Sequence, residues 1–292
     1  MYWIFIIVIC IILAFLIFVL LSMVNQVIFD PTSNYIWEPN YQYDKLLINN
    51  KISAWYFNFD LNKKNKTILF CHGNYGNISY KDYVIELCKK YNLNLLIFDY
   101  QGYGKSKGFP SQHQICQDGT TVYNYLCDKY HICHDDIIIW GESLGGAVAA
   151  YIASLYPCHR LILMSTFSSL DDIIWDQKTG PIQRALMYLL SKMTDMLTTK
   201  HRIKSIKCPI IIVHSTEDDI IPFKNALSLY NHISHNNKLL IIIKGGHSTP
   251  EISASQLIEL LEFCGIKNQT DTELNDIIHM IGQIRDKYIC HK

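Results

Sequence analysis

A serine, a cluster of acids and a histidine follow one another in an order that suits nucleophilic acyl transfer. The serine is Ser143, inside the G-x-S-x-G pentapeptide Gly141-Glu142-Ser143-Leu144-Gly145. The acids are Glu217, Asp218 and Asp219, and the histidine is His247 after Gly245-Gly246. A serine hydroxyl attacks a carbonyl only when a base takes its proton, and an imidazole serves as that base when a carboxylate holds its ring. The pentapeptide predicts its partners later in the chain, acid first and histidine last. Of the 12 histidines, His247 alone combines that order with a loop after the last strand signal, whereas His72 and His214 read as structural. The tetrahedral intermediate further needs two backbone donors. The N–H of Leu144, next after the serine, is one. Asn74 in His72-Gly73-Asn74 is the other, with Tyr75 as its substitute.

Such residues react only if elements bring them together. Ile137–Ile139 is a β-branched run suited to a buried strand, and Ala147–Ala150 is a good helix former. Strand, G-x-S-x-G, helix is the context of a nucleophile elbow, a turn too tight for side chains beside the serine. A strand over Thr67–Cys71 leads into His72-Gly73-Asn74-Tyr75-Gly76-Asn77, and strands over Pro209–His214 and Lys238–Ile243 lead into the acid and histidine loops. Tyr41–Asn49 and Ile52–Phe59 predict a β-hairpin. Helices are expected over Tyr80–Tyr91 and Gln114–Tyr130, and strands over Leu93–Asp99 and Arg160–Met164. This alternation predicts an α/β fold: a mostly parallel eight-stranded sheet flanked by helices, with an antiparallel start.

The alternation stops over 167–207. Leu170, Ile173, Ile174, Leu186, Leu189, Leu190, Met193 and Leu197 recur there at helical spacing, predicting a small helical cap that packs on the core or covers the cleft as a lid. The domain proper spans 41–267. In the tail, 268–292, Thr270 and Glu273 suit a capping box, and Leu274, Ile277, Ile278, Ile281 and Ile284 form an apolar stripe expected to dock on the domain.

Trp3–Val24 carries no charge. A helix of that length spans a hydrocarbon core of about 30 Å, so residues 1–24 predict a single-pass transmembrane anchor. A cleaved signal peptide fits less well, for want of a basic start and a small-residue cleavage site. Residues 25–40, with Asp30-Pro31 and Glu38-Pro39, predict a juxtamembrane linker. Sequons at Asn65, Asn77 and Asn268 would permit a lumenal domain, although a glycan on Asn77 would crowd the oxyanion loop. The 10 scattered cysteines resemble no disulfide framework and favour the cytosolic side for the catalytic domain, while the absence of lysine and arginine from Met1 to Tyr43 leaves the orientation open.

Other chemistries find less support. Lysine plus arginine equal aspartate plus glutamate at 26 each, with no basic cluster, which argues against nucleic acid as a partner. Cys127, His131, Cys133 and His134 include metal-ligand types without metal-ligand spacing. Gly102-Tyr103-Gly104 with Gly108 misses the dinucleotide fingerprint by one residue, and Gly104-Lys105-Ser106 lacks the leading glycine of a P-loop. No cofactor and no metal is expected.

Taken together, the motifs resemble the α/β-hydrolase superfamily, and within it the serine-aminopeptidase-like group that includes membrane-anchored hydrolases and protein depalmitoylases. The likeness runs from about Tyr41 to Lys267, through HGNYGN at His72–Asn77, DYQGYGKSKG at Asp99–Gly108, GESLGG at Gly141–Gly146, STFSSL at Ser165–Leu170, CPIIIVHSTEDDIIP at Cys208–Pro222 and GGHS at Gly245–Ser248. It implies that Asp218 is the acid and that Asp99 and Gly102 are structural. Ser215 departs from the glycine usual in the family. The implied activity is hydrolysis of an ester or thioester of a lipid or lipidated protein by Ser143, His247 and Asp218. A peptidase, or a hydrolase-fold scaffold without turnover, is the alternative.

Overall fold

The apolar runs assemble into one sheet. The computed structural model describes residues 2–60, 66–176, 180, 188 and 197–266. Its strands are β1 (Asp44–Ile48), β2 (Ile52–Phe57), β3 (Thr67–Cys71), β4 (Asn94–Phe98), β5 (Ile137–Glu142), β6 (Arg160–Met164), β7 (Ile210–Ser215) and β8 (Lys238–Ile243). They lie in the order β8-β7-β6-β5-β3-β4-β2-β1. Pairings among β3 to β8 are parallel, while β2 runs antiparallel to both β4 and β1. The expected hairpin turns through Asn49 and Asn50, both at positive φ, which asparagine tolerates better than most residues.

The strands read as unbroken apolar runs because both faces of the sheet are covered. Side chains alternate between two cores. Leu69, Leu96, Ile137, Ile139, Ile210 and Ile212 face one, and Ile68, Phe70, Leu95, Ile138, Trp140 and Ile211 face the other. Each such side chain contributes about 1.5–3 kcal/mol by leaving water. The helices are α1 (Tyr2–Ile28), α2 (Asp82–Lys90), α3 (Gln112–Tyr130), α4 (Leu144–Leu155), α5 (Leu170–Asp176), α6 (Thr199–Arg202), α7 (Lys224–His232) and α8 (Ala254–Phe263). α2 and α8 cover the second core, and α3, α4 and α7 the first. Ser111 caps α3 by accepting from Gln114 N at 3.1 Å. Ser253 and Gln256 close a reciprocal capping box on α8.

At the N-terminus α1 runs for 27 residues, but the expected membrane span is not met there. Among the described residues no helix is long and apolar enough to cross a membrane, and the side chains at 14 and 16–27 lie outside the described set. The segment after α1, expected to be a linker, is packed: Phe29 is buried, and Asp30–Pro31 pairs in parallel with Tyr75–Gly76. Of the cap residues, Leu197 is buried and Leu170 and Ile173 pack on the core. Positions 177–179, 181–187 and 189–196 lie outside the described residues, as do the tail 268–292 and the sequons at Asn65 and Asn268. Asn77 is fully buried. Among the described residues no group of three His, Cys, Asp or Glu side chains is placed to hold a metal ion.

Candidate active site

The residues singled out for chemistry meet at the carboxyl ends of β3, β5, β7 and β8. Ser143 follows β5 directly and adopts φ 53°, ψ −119°, a strained backbone for a side chain with a Cβ. The surroundings enforce it. Ser143 N donates to Met164 O at 2.9 Å, and Thr166 Oγ1 donates to Ser143 O at 2.6 Å. A Cβ on Gly145 would fall 2.0 Å from Cys71 O, so only glycine lets the turn pack against β3. The strain lifts the serine hydroxyl clear of the sheet.

Ser143 Oγ lies 3.0 Å from His247 Nε2, and His247 Nδ1 lies 2.8 Å from Asp218 Oδ2. The resulting line of serine, imidazole and carboxylate is continuous, and within it Nδ1 donates to the carboxylate, which leaves Nε2 as the acceptor facing the hydroxyl. Asp218 is 8% exposed. Burial alone would raise its carboxyl, but the bond from His247, the imidazole's charge and the N–H groups of Ile221 and Ile220 hold it below the ordinary carboxylate value. Those N–H groups donate to Oδ1 at 2.7 and 3.0 Å, leaving Oδ2 to the histidine.

The neighbouring acids do other work. Asp219 Oδ1 accepts from His247 N at 3.0 Å and Glu217 Oε2 from Gly245 N at 3.0 Å, so both brace the backbone of the histidine loop. Ser215, where the family usually has glycine, joins the two loops. Its hydroxyl donates to Gly245 O at 2.5 Å and accepts from Glu217 N at 3.0 Å. His214 is buried and hydrogen-bonded to Ile221 O at 2.8 Å. Burial, opposed by that carbonyl and by Asp218, lowers its basicity, consistent with a structural role.

Across the elbow, the loop after β3 passes close to the serine: a Cβ on Gly73 would sit 3.4 Å from Ser143 Cβ. Asn74 turns its side-chain oxygen away, to Asp30 N at 3.1 Å and Tyr103 OH at 2.8 Å. Its main-chain N–H is the donor the sequence assigns to an oxyanion. Leu144 begins α4, and the leading N–H groups of a helix have no partner within it. Tyr75, the substitute, is 40% exposed. His72 is fully buried beneath this loop, with Nδ1 2.7 Å from Gly73 O. Burial and the nearby Lys81 push its pKa down to about 3, so it is neutral and props the loop.

Two contacts here escaped sequence reasoning. Glu142, inside the pentapeptide, pairs with Lys81 at 3.1 Å and accepts from Tyr83 OH, tying the elbow to the start of α2. Tyr35 OH donates to Asp99 Oδ2 at 2.5 Å. The position of Glu142 was visible, but its partners lie about sixty residues away and no pattern links them.

A family model described as serine aminopeptidase, S33, matches residues 62–205. An uncharacterized protein of Acanthamoeba polyphaga mimivirus is 32% identical over 216 residues, covering 68% of this chain and 72% of that one. The alpha/beta hydrolase domain-containing protein 17C of Xenopus tropicalis is 29% identical over 198 residues, covering 68% of this chain and 61% of its own. Among solved structures, an esterase of Pyrococcus furiosus superposes with a TM-score of 0.60 at 18% identity, over 89% of this chain and 97% of that one.

Proposed function

The chain belongs to the α/β-hydrolase superfamily, and from that premise we propose that it is a serine hydrolase acting on an ester or thioester. The observation that carries the reading is the hydrogen-bonded line from Ser143 through His247 to Asp218, set on a strained elbow. Ser143 Oγ attacks the carbonyl carbon as His247 Nε2 takes its proton. The N–H groups of Asn74 and Leu144 bind the oxygen that becomes negative. Asp218 holds the imidazole and stabilises its charged form. The imidazolium then protonates the departing alcohol or thiol, and water, activated by the same histidine, releases the acid and restores the serine.

The reading extends to a substrate held at a membrane. Trp3–Val24 is uncharged, and the side chains of Tyr2–Leu13, including Trp3, Ile4 and Phe5, are exposed. A lipid ester or an acylated protein is the substrate class that such an attachment favours. The family model's description favours a peptidase as the second reading.

The first test is Ser143→Ala. It is expected to lower kcat on a short acyl ester by about 10⁴- to 10⁶-fold and to abolish labelling by a fluorophosphonate. Wild-type turnover in the folded variant would sink the assignment. A panel of acyl thioesters, acylglycerols and aminoacyl amides separates ester from peptide chemistry.

A further inference from the structure

The stretch that leaves α1 is threaded through the loop that carries Asn74. Asp30–Pro31 adds a short parallel ladder to Tyr75–Gly76, and Thr32 N reaches Gly76 O at 3.4 Å. Asp30 N donates to Asn74 Oδ1 at 3.1 Å. The Asn77 amide donates to Thr32 O at 3.1 Å, Thr32 Oγ1 at 2.9 Å and Asn34 O at 2.8 Å. Ile36 N donates to Ser79 Oγ at 3.0 Å. On its other side the same stretch receives Gly104 N at Thr32 O, 2.9 Å, and sends Tyr35 OH to Asp99. Phe29, just after α1, is buried and anchors its start.

These contacts converge on a loop that is also held from the turn after β4, where Tyr100 OH donates to His72 O at 2.9 Å and Tyr103 OH to Asn74 Oδ1 at 2.8 Å. Residues 72–77 include two glycines, and glycine backbones lose the most freedom when fixed. An oxyanion donor works only within about 2.7–3.1 Å of the developing charge, and misplacement by about 1 Å costs about 100-fold in rate. The buried amide of Asn77 points all of its donated hydrogen bonds at residues 32–34, so this stretch holds the Tyr75–Asn77 end of the loop, while Tyr100 and Tyr103 hold its His72–Asn74 end.

We propose that residues 29–36 are a strap that positions the oxyanion loop, with Asn77 and Thr32 as positioning residues for the reaction at Ser143. The proposal rests on the serine-hydrolase reading. It gives the segment that follows α1 a part in turnover.

The test compares Asn77→Ala with the wild type in the full chain, reading kcat and KM on a short activated acyl ester, the rate of fluorophosphonate labelling, and Tm. Leu126→Ala, in the buried face of α3 away from the site, serves as the stability control. Asn77→Ala is expected to lower kcat and the labelling rate about 10- to 100-fold with KM within about twofold, whereas Leu126→Ala lowers Tm and leaves kcat in place. A folded Asn77→Ala with wild-type kcat and labelling overturns the strap. If Asn77→Ala does not fold, Thr32→Val, which removes only the hydroxyl partner, is expected to lower kcat about threefold at unchanged KM, and an unchanged kcat again overturns it. A wild-type chain that neither turns over nor labels overturns the hydrolase reading instead, and this one with it.

Discussion

Asp218 and Asp99 are both buried carboxylates at the carboxyl ends of strands, yet they sit in opposite electrostatic settings. Asp218 meets two backbone N–H groups and an imidazole, and is held below the ordinary carboxylate value against its burial. Asp99 meets Ile78 N at 2.9 Å, Tyr35 OH, and Lys105 N at a long 3.4 Å. Burial outweighs those donors and pushes its pKa up to about 6. Asp99 is the more deeply buried of the two, so its desolvation is the larger. The compensation differs too: an imidazole able to carry positive charge bonds one carboxylate directly, whereas the other is bonded by neutral donors and feels the charge of Lys105 only as the weakest of its stabilising influences. One aspartate is suited to steadying an imidazolium, the other to pinning the loops around it.

The largest effect should come from removing the charge at the first site. Asp218→Asn is expected to lower kcat about 10³- to 10⁴-fold, because the amide no longer fixes the imidazole tautomer, while Tm moves by only a few degrees. Asp99→Asn should change kcat by less than tenfold. Equal losses in steady-state assays of the two variants would erase the distinction.

A smaller effect lies in the pH dependence of stability, where the two sites have opposite signs. Asp218, with its folded pKa lowered, contributes stability that is present above its unfolded value and lost as pH falls through the folded one. Asp99 has its folded pKa raised from 3.8 to about 6. Its contribution is fully present below about pH 4 and declines as pH rises toward about 6, by about 3 kcal/mol across that window. Urea midpoints of the wild type and Asp99→Asn between pH 4 and 7 check this. The variant should gain on the wild type as pH rises, and a constant gap would refute the assignment.

The smallest effect concerns the brace between loops. Ser215→Gly restores the residue usual in the family and deletes two hydrogen bonds around Asp218 and His247. It is expected to lower stability by about 1–2 kcal/mol and kcat by about two- to fivefold, read by urea denaturation and ester hydrolysis.

The two aspartates also differ in how far the sequence exposes them. The environment of Asp218 is largely local: the strand before it, the turn N–H groups two and three residues later, and a histidine loop announced by two glycines. Its selection among Glu217, Asp218 and Asp219 still came from the family pattern. The setting of Asp99 depends on Tyr35, 64 residues away, in a stretch read as a linker because its prolines break helices and it has no apolar period. A ladder of two residues leaves no periodic trace. The sheet was legible because period-2 alternation between two cores yields uninterrupted apolar runs, and β3, β6 and β8 fall where those runs end. α7 and α8 were not anticipated, although Ser253 and Gln256 carried a capping signal. The membrane span predicted from Trp3–Val24 finds no counterpart among the described residues.

Asn77-Ile78-Ser79 is an acceptor sequence for oligosaccharide transfer, but in the folded domain its amide nitrogen is enclosed by Thr32 and Asn34. A sugar attached to the nascent chain would occupy the volume those residues need, so glycosylation here and native folding exclude each other. In a lumenal compartment the two would compete kinetically, and each molecule modified first would be lost to quality control. Every correctly folded copy, on either side of a membrane, carries this asparagine bare.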